Sequence, residues 1–306
     1  MINKIGYACI NMSLKKEGIR INRKMIQKTF KEKGINYASE LALENAKGII
    51  EILKWNSLNG MQVYRMSSGM FPWMSEYEIS ELPHYPEIKL TLKKIGNFAK
   101  ENGIRLSFHP GAFTILCSPK ERVIQKAIKE LNQHSEIMDL MGLEISPYNK
   151  INIHIGGAYG NKEETLERFC NNFKLLNKNT QKRLTVENDD RESLYTVEDL
   201  MFVHEMTGIP IVFDFHHYDC HPGKLSKLES LDLALSTWPE NIIPVVHMSS
   251  SKRNYEDGSA KVVAHAEYLY EEIPSTGKPY DCVCECKAKE QAVLRYVKEH
   301  RELVQV

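Results

Sequence analysis

The sequence predicts an α/β fold, specifically a (β/α)8 barrel with a metal site at the C-terminal ends of its strands. Eight short β-branched or apolar runs alternate with helical stretches, the order expected of βα units around a parallel sheet. Six consecutive runs end in His, Asp or Glu, and barrel enzymes build their sites where strands end. The 306 residues suit one such barrel, so 1–306 is read as a single domain.

The runs occupy residues 5–11, 63–69, 105–111, 151–157, 183–190, 209–217, 242–251 and 282–287. Between the second and third, residues 71–92 carry four aromatics and three prolines and read as an extended loop. After the third run, Ser118 can cap a helix, with Pro119 at its first position and Glu121 closing a capping box. Val123, Ile124, Ala127, Ile128 and Leu131 then form the apolar stripe of a helix packed on a sheet. No linker rich in Pro, Gly or Ser interrupts this order.

Composition is that of a globular protein, with 42% hydrophobic and 26% charged residues. No apolar stretch is long enough for a membrane span and no signal peptide is visible, so an intracellular, cytoplasmic protein without a membrane partner is expected. Seven cysteines, an odd number, argue against a secreted disulfide framework. The 40 basic and 40 acidic side chains cancel, whereas nucleic-acid binders usually carry a basic excess. A neutral total can hide a local basic surface, for which Lys15, Lys16, Arg20, Arg23, Lys24, Lys252 and Arg253 are candidates; ordinary solvated surface explains them as well.

The residues ending the runs are His109, His154, Glu187, Asp214 with His217, His247 and Glu285. A lone histidine there would be structural. Imidazoles and carboxylates gathered at one barrel end need a partner, and cations supply it. The mixture suits Mn2+, Zn2+ or Fe2+, and seven donors are too many for one ion. Two or three ions sharing carboxylates can clamp the attacking and leaving oxygens of an in-line displacement. Asp214 and His217 converge only if the sixth strand ends near Phe215 and the chain turns inward, as a bulge would allow; His216 is then the spare. Asn188 to Asp190 serve the surroundings of Glu187 or cap the next helix. Cys282, Cys284 and Cys286 share the strand face opposite Glu285, which turns them outward against helices. His84, His134, His204, His221 and His300 read as surface or capping residues. Gly111, Gly156 and Gly157 permit close backbone approach. Ser67, Ser68 and Ser249 to Ser251 are either phosphate-binding hydroxyls or turn formers.

A family resemblance joins these readings. Gly6-Tyr-Ala-Cys-Ile-Asn11, Trp55-Asn56, Tyr64-Arg-Met-Ser-Ser68, Phe71-Pro72-Trp73, His109-Pro-Gly111, Ile153-His-Ile-Gly-Gly157, Glu187-Asn-Asp-Asp190, Asp214-Phe-His-His217, Thr237-Trp238, Glu285-Cys-Lys287 and Lys289-Glu290 resemble, in order, segments of the UV damage endonucleases, a barrel group related to endonuclease IV. The resemblance implies three divalent ions, usually taken as manganese, no organic cofactor, and a monomer acting on damaged duplex DNA. It implies a nick immediately 5′ to a cyclobutane pyrimidine dimer or 6-4 photoproduct, leaving a 3′-hydroxyl. His109, His154, Glu187, Asp214, His217, His247 and Glu285 become metal ligands, and His265 completes the third ion's shell. Glu187 bridges two ions and is catalytic; Tyr7 and Asn11 lie beside the scissile phosphate; Arg65, Ser67 and Ser68 belong to the second-strand rim. Two positions depart from the family. Where Gln and an aromatic commonly probe the duplex, this chain has Ala112 and Phe113. Where some members carry a modified lysine before the seventh-strand histidine, it has Val245.

Three other readings stand beside this one: a general abasic-site endonuclease, a metal-dependent sugar isomerase on the same barrel, and a non-catalytic DNA-binding barrel. Net neutrality favours the isomerase, and the number of strand-end histidines favours a nuclease.

Overall fold

A computed structural model describes residues 2–301 of the chain. Among the described residues, eight parallel strands close into a barrel in sequence order: β1 Ile2–Ala8, β2 Val63–Met66, β3 Arg105–Phe108, β4 Ile151–Ile153, β5 Leu184–Glu187, β6 Ile211–Asp214, β7 Val245–Met248 and β8 Tyr280–Cys284. Closure comes from β1 pairing with β8, Gly6 opposite Val283, as well as with β2, Gly6 opposite Val63. A Cβ on Gly6 would fall 1.6 Å from the Val63 carbonyl oxygen, so only glycine lets these strands meet.

The connecting helices are α1 Met12–Lys16, α2 Gln27–Leu58, α3 Tyr85–Glu101, α4 Glu121–Met141, α5 Lys162–Phe173, α6 Lys178–Arg183, α7 Val197–Thr207, α8 Phe215–Cys220, α9 Lys227–Ser236, α10 Lys252–Tyr255 and α11 Glu290–Glu299. Their apolar stripes bury against the outward side chains of the strands. Tyr7, Tyr64, Leu106, Phe108, Ile151, Ile153, Val186, Phe213 and Val246 belong to that outer core. The alternate residues point inward. Ala8, Val63, Val212, Val245 and Val283 form a separate apolar layer inside the barrel with Trp238 and Ile242. Beside it Arg105 and Asp281, each 1% exposed, form an ion pair at 2.8 Å, with the guanidinium also donating to the carbonyls of Ile243, Tyr148 and Pro147. This apolar and ionic plug leaves the C-terminal ends of the strands as the place where polar side chains converge.

Helix α4 starts at Glu121 with Lys120 in the cap position; Ser118 instead accepts from the Lys120 amide, because Pro119 and Lys120 are not yet helical. Its stripe is as expected, with Ile124, Ala127 and Leu131 buried. The loop after β2 is shorter than 71–92: it holds single-turn 3-10 helices and gives way to α3 at Tyr85, with Pro86 in the first turn. His134 is not a surface residue. It is fully buried on α4, edge-on to Phe108 with ring centroids 4.9 Å apart, its Nδ1 2.8 Å from the Glu130 carbonyl. The three cysteines of β8 and its exit are buried in the outer core, facing away from Glu285 as the alternation requires.

Candidate metal centre

Alternation along the strands delivers the cluster. His109, His154, Glu187, Asp214, His247 and Glu285 each stand on the inward side of a strand end, or one step beyond it. Glu187 is the hub, with 1% of its side chain exposed. Its Oε2 lies 3.1 Å from His109 Nε2 and 3.9 Å from His154 Nε2. Its Oε1 lies 3.1 Å from His247 Nδ1 and 3.3 Å from His217 Nδ1. Glu285 Oε1 is also 3.1 Å from His247 Nδ1. The donor atoms fall into two groups, each within 4.8 Å: His109, His154 and Glu187; and Glu187, Asp214, His247 and Glu285.

Asp214 and His217 converge, through a helix cap where the sequence suggested a bulge. Strand β6 ends at Asp214, whose Oδ1 accepts from the His217 amide at 2.8 Å and starts α8. Asn188 clamps this turn from β5: its Nδ2 donates to the Asp214 carbonyl at 3.0 Å, and its Oδ1 accepts from the Asp214 amide at 2.8 Å. Asp189 Oδ1 lies 2.9 Å from His154 Nδ1, an ion-pair contact. Asn188 thus braces the backbone turn that carries Asp214, and Asp189 faces His154.

A divalent ion fits this set. Asp214 Oδ2 is buried without a hydrogen-bond partner, and buried polar atoms are normally satisfied. The donors are imidazole nitrogens and carboxylates, with no cysteine among them. The electrostatics suit a set of groups that binds cations. Burial would raise the Glu187 pKa, yet the imidazoles of His247 and His154 hold it well below the usual carboxylate range. Burial and then the charges of Glu187 and Glu285 raise that of Asp214 despite His217. Burial works against imidazolium at His154, but Glu187 and Asp189 overcome it and push its pKa up to about 10. At His109 burial wins, and its pKa falls to about 4.

The remaining expected residues are placed as follows. His217 is beside the hub but in neither donor group; its ring centroid is 5.4 Å from that of His154. His265 also stands outside both groups, 6.3 Å from the His217 ring, with Ser249 Oγ 2.6 Å from its Nδ1. Tyr7 points outward into the helix layer, fully buried, its hydroxyl donating to Asn56 at 2.7 Å and accepting from Asn11 at 2.9 Å. Asn11 caps α1 with its Oδ1. Arg65 is inside the barrel and pairs with Glu285. Ser67 accepts from the Gly69 amide, a turn-forming role, and with Ser68 lines an open cleft of ≈ 490 Å3. Phe113 stands on the same cleft, 91% exposed, and Ala112 is exposed beside it.

Two interior residues escaped the sequence reading. Asn152 donates to Glu187, and Lys150 Nζ lies 3.1 Å from His247 Nε2. Counting back from His154 along β4 in steps of two reaches both, so the alternation contained the signal. Burial lowers the Lys150 pKa to about 7.

Comparison with known proteins places the chain in a family. A family model described as UV-endonuclease UvdE matches residues 3–306. A protein called UV DNA damage endonuclease from Bacillus cereus (strain 03BB102) is 33% identical, over 98% of this chain and 95% of its own. A crystal structure of SacUVDE superposes with a TM-score of 0.85 at 31% identity, covering 98% of this chain and 99% of that one. Endonuclease IV from Thermus thermophilus shares the barrel at a TM-score of 0.56 and 15% identity, over 84% of this chain and 95% of that one. The last likeness concerns the fold alone.

Proposed function

The chain belongs to the UV-endonuclease UvdE family and is thus a DNA repair endonuclease acting on UV damage; from that premise we propose that it nicks duplex DNA immediately 5′ to cyclobutane pyrimidine dimers and 6-4 photoproducts, leaving a 3′-hydroxyl, in a divalent-metal-dependent reaction. The observation that carries the metal reading is Glu187, shared between two groups of donors at the mouth of the barrel. His109, His154 and Glu187 would hold one ion; Glu187, Asp214, His247 and Glu285 would hold a second. His217 and His265 are the residues left to hold a third. The mixed imidazole and carboxylate set suits Mn2+, Zn2+ or Fe2+ alike, and the family resemblance points to manganese among them. When bound, such ions supply activation of water and neutralisation of charge on the scissile phosphate.

The chain's own groups do the rest. Glu187 fixes the spacing of the two donor groups, because each of its oxygens serves a different one. Arg65 keeps Glu285 turned into the barrel. Ser67 and Ser68 offer hydroxyls to phosphate oxygens from the cleft wall. Tyr7 and Asn11 fix one another and so shape the β1 rim beside the scissile phosphate. Phe113 stacks on bases left exposed when the lesion leaves the helix, a flip made easier where damage has already weakened pairing. Ala112 carries no hydrogen-bonding group, so Phe113 does this work without a polar neighbour at 112. The enzyme acts as a cytoplasmic monomer, without an organic cofactor.

Strand mapping tests the polarity. An end-labelled duplex with one pyrimidine dimer, incubated with protein and Mn2+, should yield a fragment ending at the phosphodiester 5′ to the dimer. A polymerase should extend that fragment directly. A product that cannot be extended, or a cut only at abasic sites, would overturn the assignment.

A further inference from the structure

Lys150 sits where a lysine has no ordinary reason to be. It is 1% exposed, at the inward-facing position that precedes β4, and its amine end reaches across the barrel to His247. Burying an ionisable side chain is costly unless it makes a specific contact. Its hydrogen-bonding partner is the Nε2 of His247, at 3.1 Å, a ring that is itself wholly buried. The opposite nitrogen of the same ring, Nδ1, faces both Glu187 and Glu285 at 3.1 Å. A histidine that turns one nitrogen to an ion has its orientation set by whatever holds the other. His247's own strand offers no such group, because the inward residue below it is Val245, part of the apolar layer with Val63, Val212 and Val283.

We propose that Lys150 is the positioning residue of His247: it fixes the imidazole so that Nδ1 is presented to the four-donor group formed with Glu187, Asp214 and Glu285. The inference rests on the reading of that group as a metal centre. It assigns to β4 a second duty, since the same strand supplies His154 to the three-donor group. The lysine donates to Nε2 when the ring's hydrogen is on Nδ1, and accepts from Nε2 as the neutral amine when Nδ1 is turned to an ion, so the contact holds the ring in both states. What matters is a polar end at that distance.

The role predicts a selective defect. Lys150→Met keeps the length and volume of the side chain and removes the amine. In full-length protein stripped of metal, this variant should unfold at or above the wild-type temperature, because a buried polar end has been replaced by an apolar one. Titrated with Mn2+, it should lose about 10–100-fold in affinity at one binding step only, the range typical of removing a group that orients a metal ligand. His247→Asn identifies that step as the four-donor group's. Co2+ should report the same thing: the visible absorption of that group shifts, and that of the group with His109 and His154 stays. Wild-type affinity at both steps in Lys150→Met overturns the proposal. So does an equal loss at both steps with a lowered unfolding temperature, which would make Lys150 a structural strut. Unsubstituted protein that takes up no ion would sink the metal reading itself, and this shows before any variant is made.

Discussion

Replacing Glu187 by Gln removes one charge and almost no volume from the centre of the site. The carboxylate is 1% exposed and has four imidazoles around it, three of them within 3.3 Å. It is also the only residue common to both donor groups. Removing one partner from a buried charged arrangement costs roughly 3–5 kcal/mol. At 1.4 kcal/mol per factor of ten, Mn2+ affinity should fall by roughly 10²- to 10⁴-fold, and at both binding steps. Nicking of a dimer-containing duplex, measured at an Mn2+ concentration that saturates the wild type, should become undetectable within the same time. The amide can still accept from Asn152, so the barrel should remain folded by circular dichroism. A Glu187→Gln protein that binds Mn2+ with wild-type affinity, or nicks at wild-type rate, would refute the hub.

Three further outcomes follow from particular residues. Phe113→Ala should weaken binding to a dimer-containing duplex by roughly 10–100-fold, since one base–aromatic stack is worth about 1–3 kcal/mol, and should leave Mn2+ binding unchanged; equal affinity for damaged duplex would remove Phe113 from recognition. Asp281→Asn should destabilise the protein by about 3–5 kcal/mol in denaturant titrations, because it strands the buried Arg105 guanidinium; a loss under about 1 kcal/mol would mean the barrel plug does not depend on that pair. Mn2+ affinity should fall as pH is lowered. In the metal-free protein Glu187 and Asp189 outweigh burial and raise the His154 pKa from 6.5 to about 10, so below that value an ion must displace its proton. The sign for metal-free stability is opposite: the His154 contribution is complete below 6.5 and is lost as pH rises through about 10. Affinity independent of pH between about 6 and 9 would show that the ion displaces no proton from His154.

The barrel is legible in the sequence, and so are six of the candidate ligands, because each of the six is the last inward residue of a strand or lies just past it; His217 and His265 stand outside that pattern. A barrel rim forces that pattern, and it survives errors in the strand boundaries. The boundaries themselves ran long: run 151–157 is a strand only over Ile151–Ile153, because Ile155 continues the apolar pattern into a loop and Gly156 bends it at φ +108°. Asp214 and His217 do come together, but a short helix capped by Asp214 does it, and the alternation of β6 could not distinguish a cap from a bulge. The direction in which Tyr7 points comes from strand alternation and not from the motif it belongs to. Its position beside Gly6 and Ala8, both inward, turns it outward to Asn56. Lys150 and Asn152 do not stand out in the sequence, since polar residues before a strand end look like solvent-facing positions. Their depth inside the barrel depends on closure, which no local pattern reveals.

The central claim is that the Glu187 cluster makes this protein an ion-dependent nuclease for UV-damaged DNA. The most direct test strips the protein of metal and returns Mn2+ stepwise, following cleavage of a duplex with one pyrimidine dimer beside the undamaged duplex. Activity on the damaged strand alone should appear as Mn2+ is bound, and disappear on adding chelator. Cleavage that persists in the stripped protein, or that treats both duplexes alike, would contradict it.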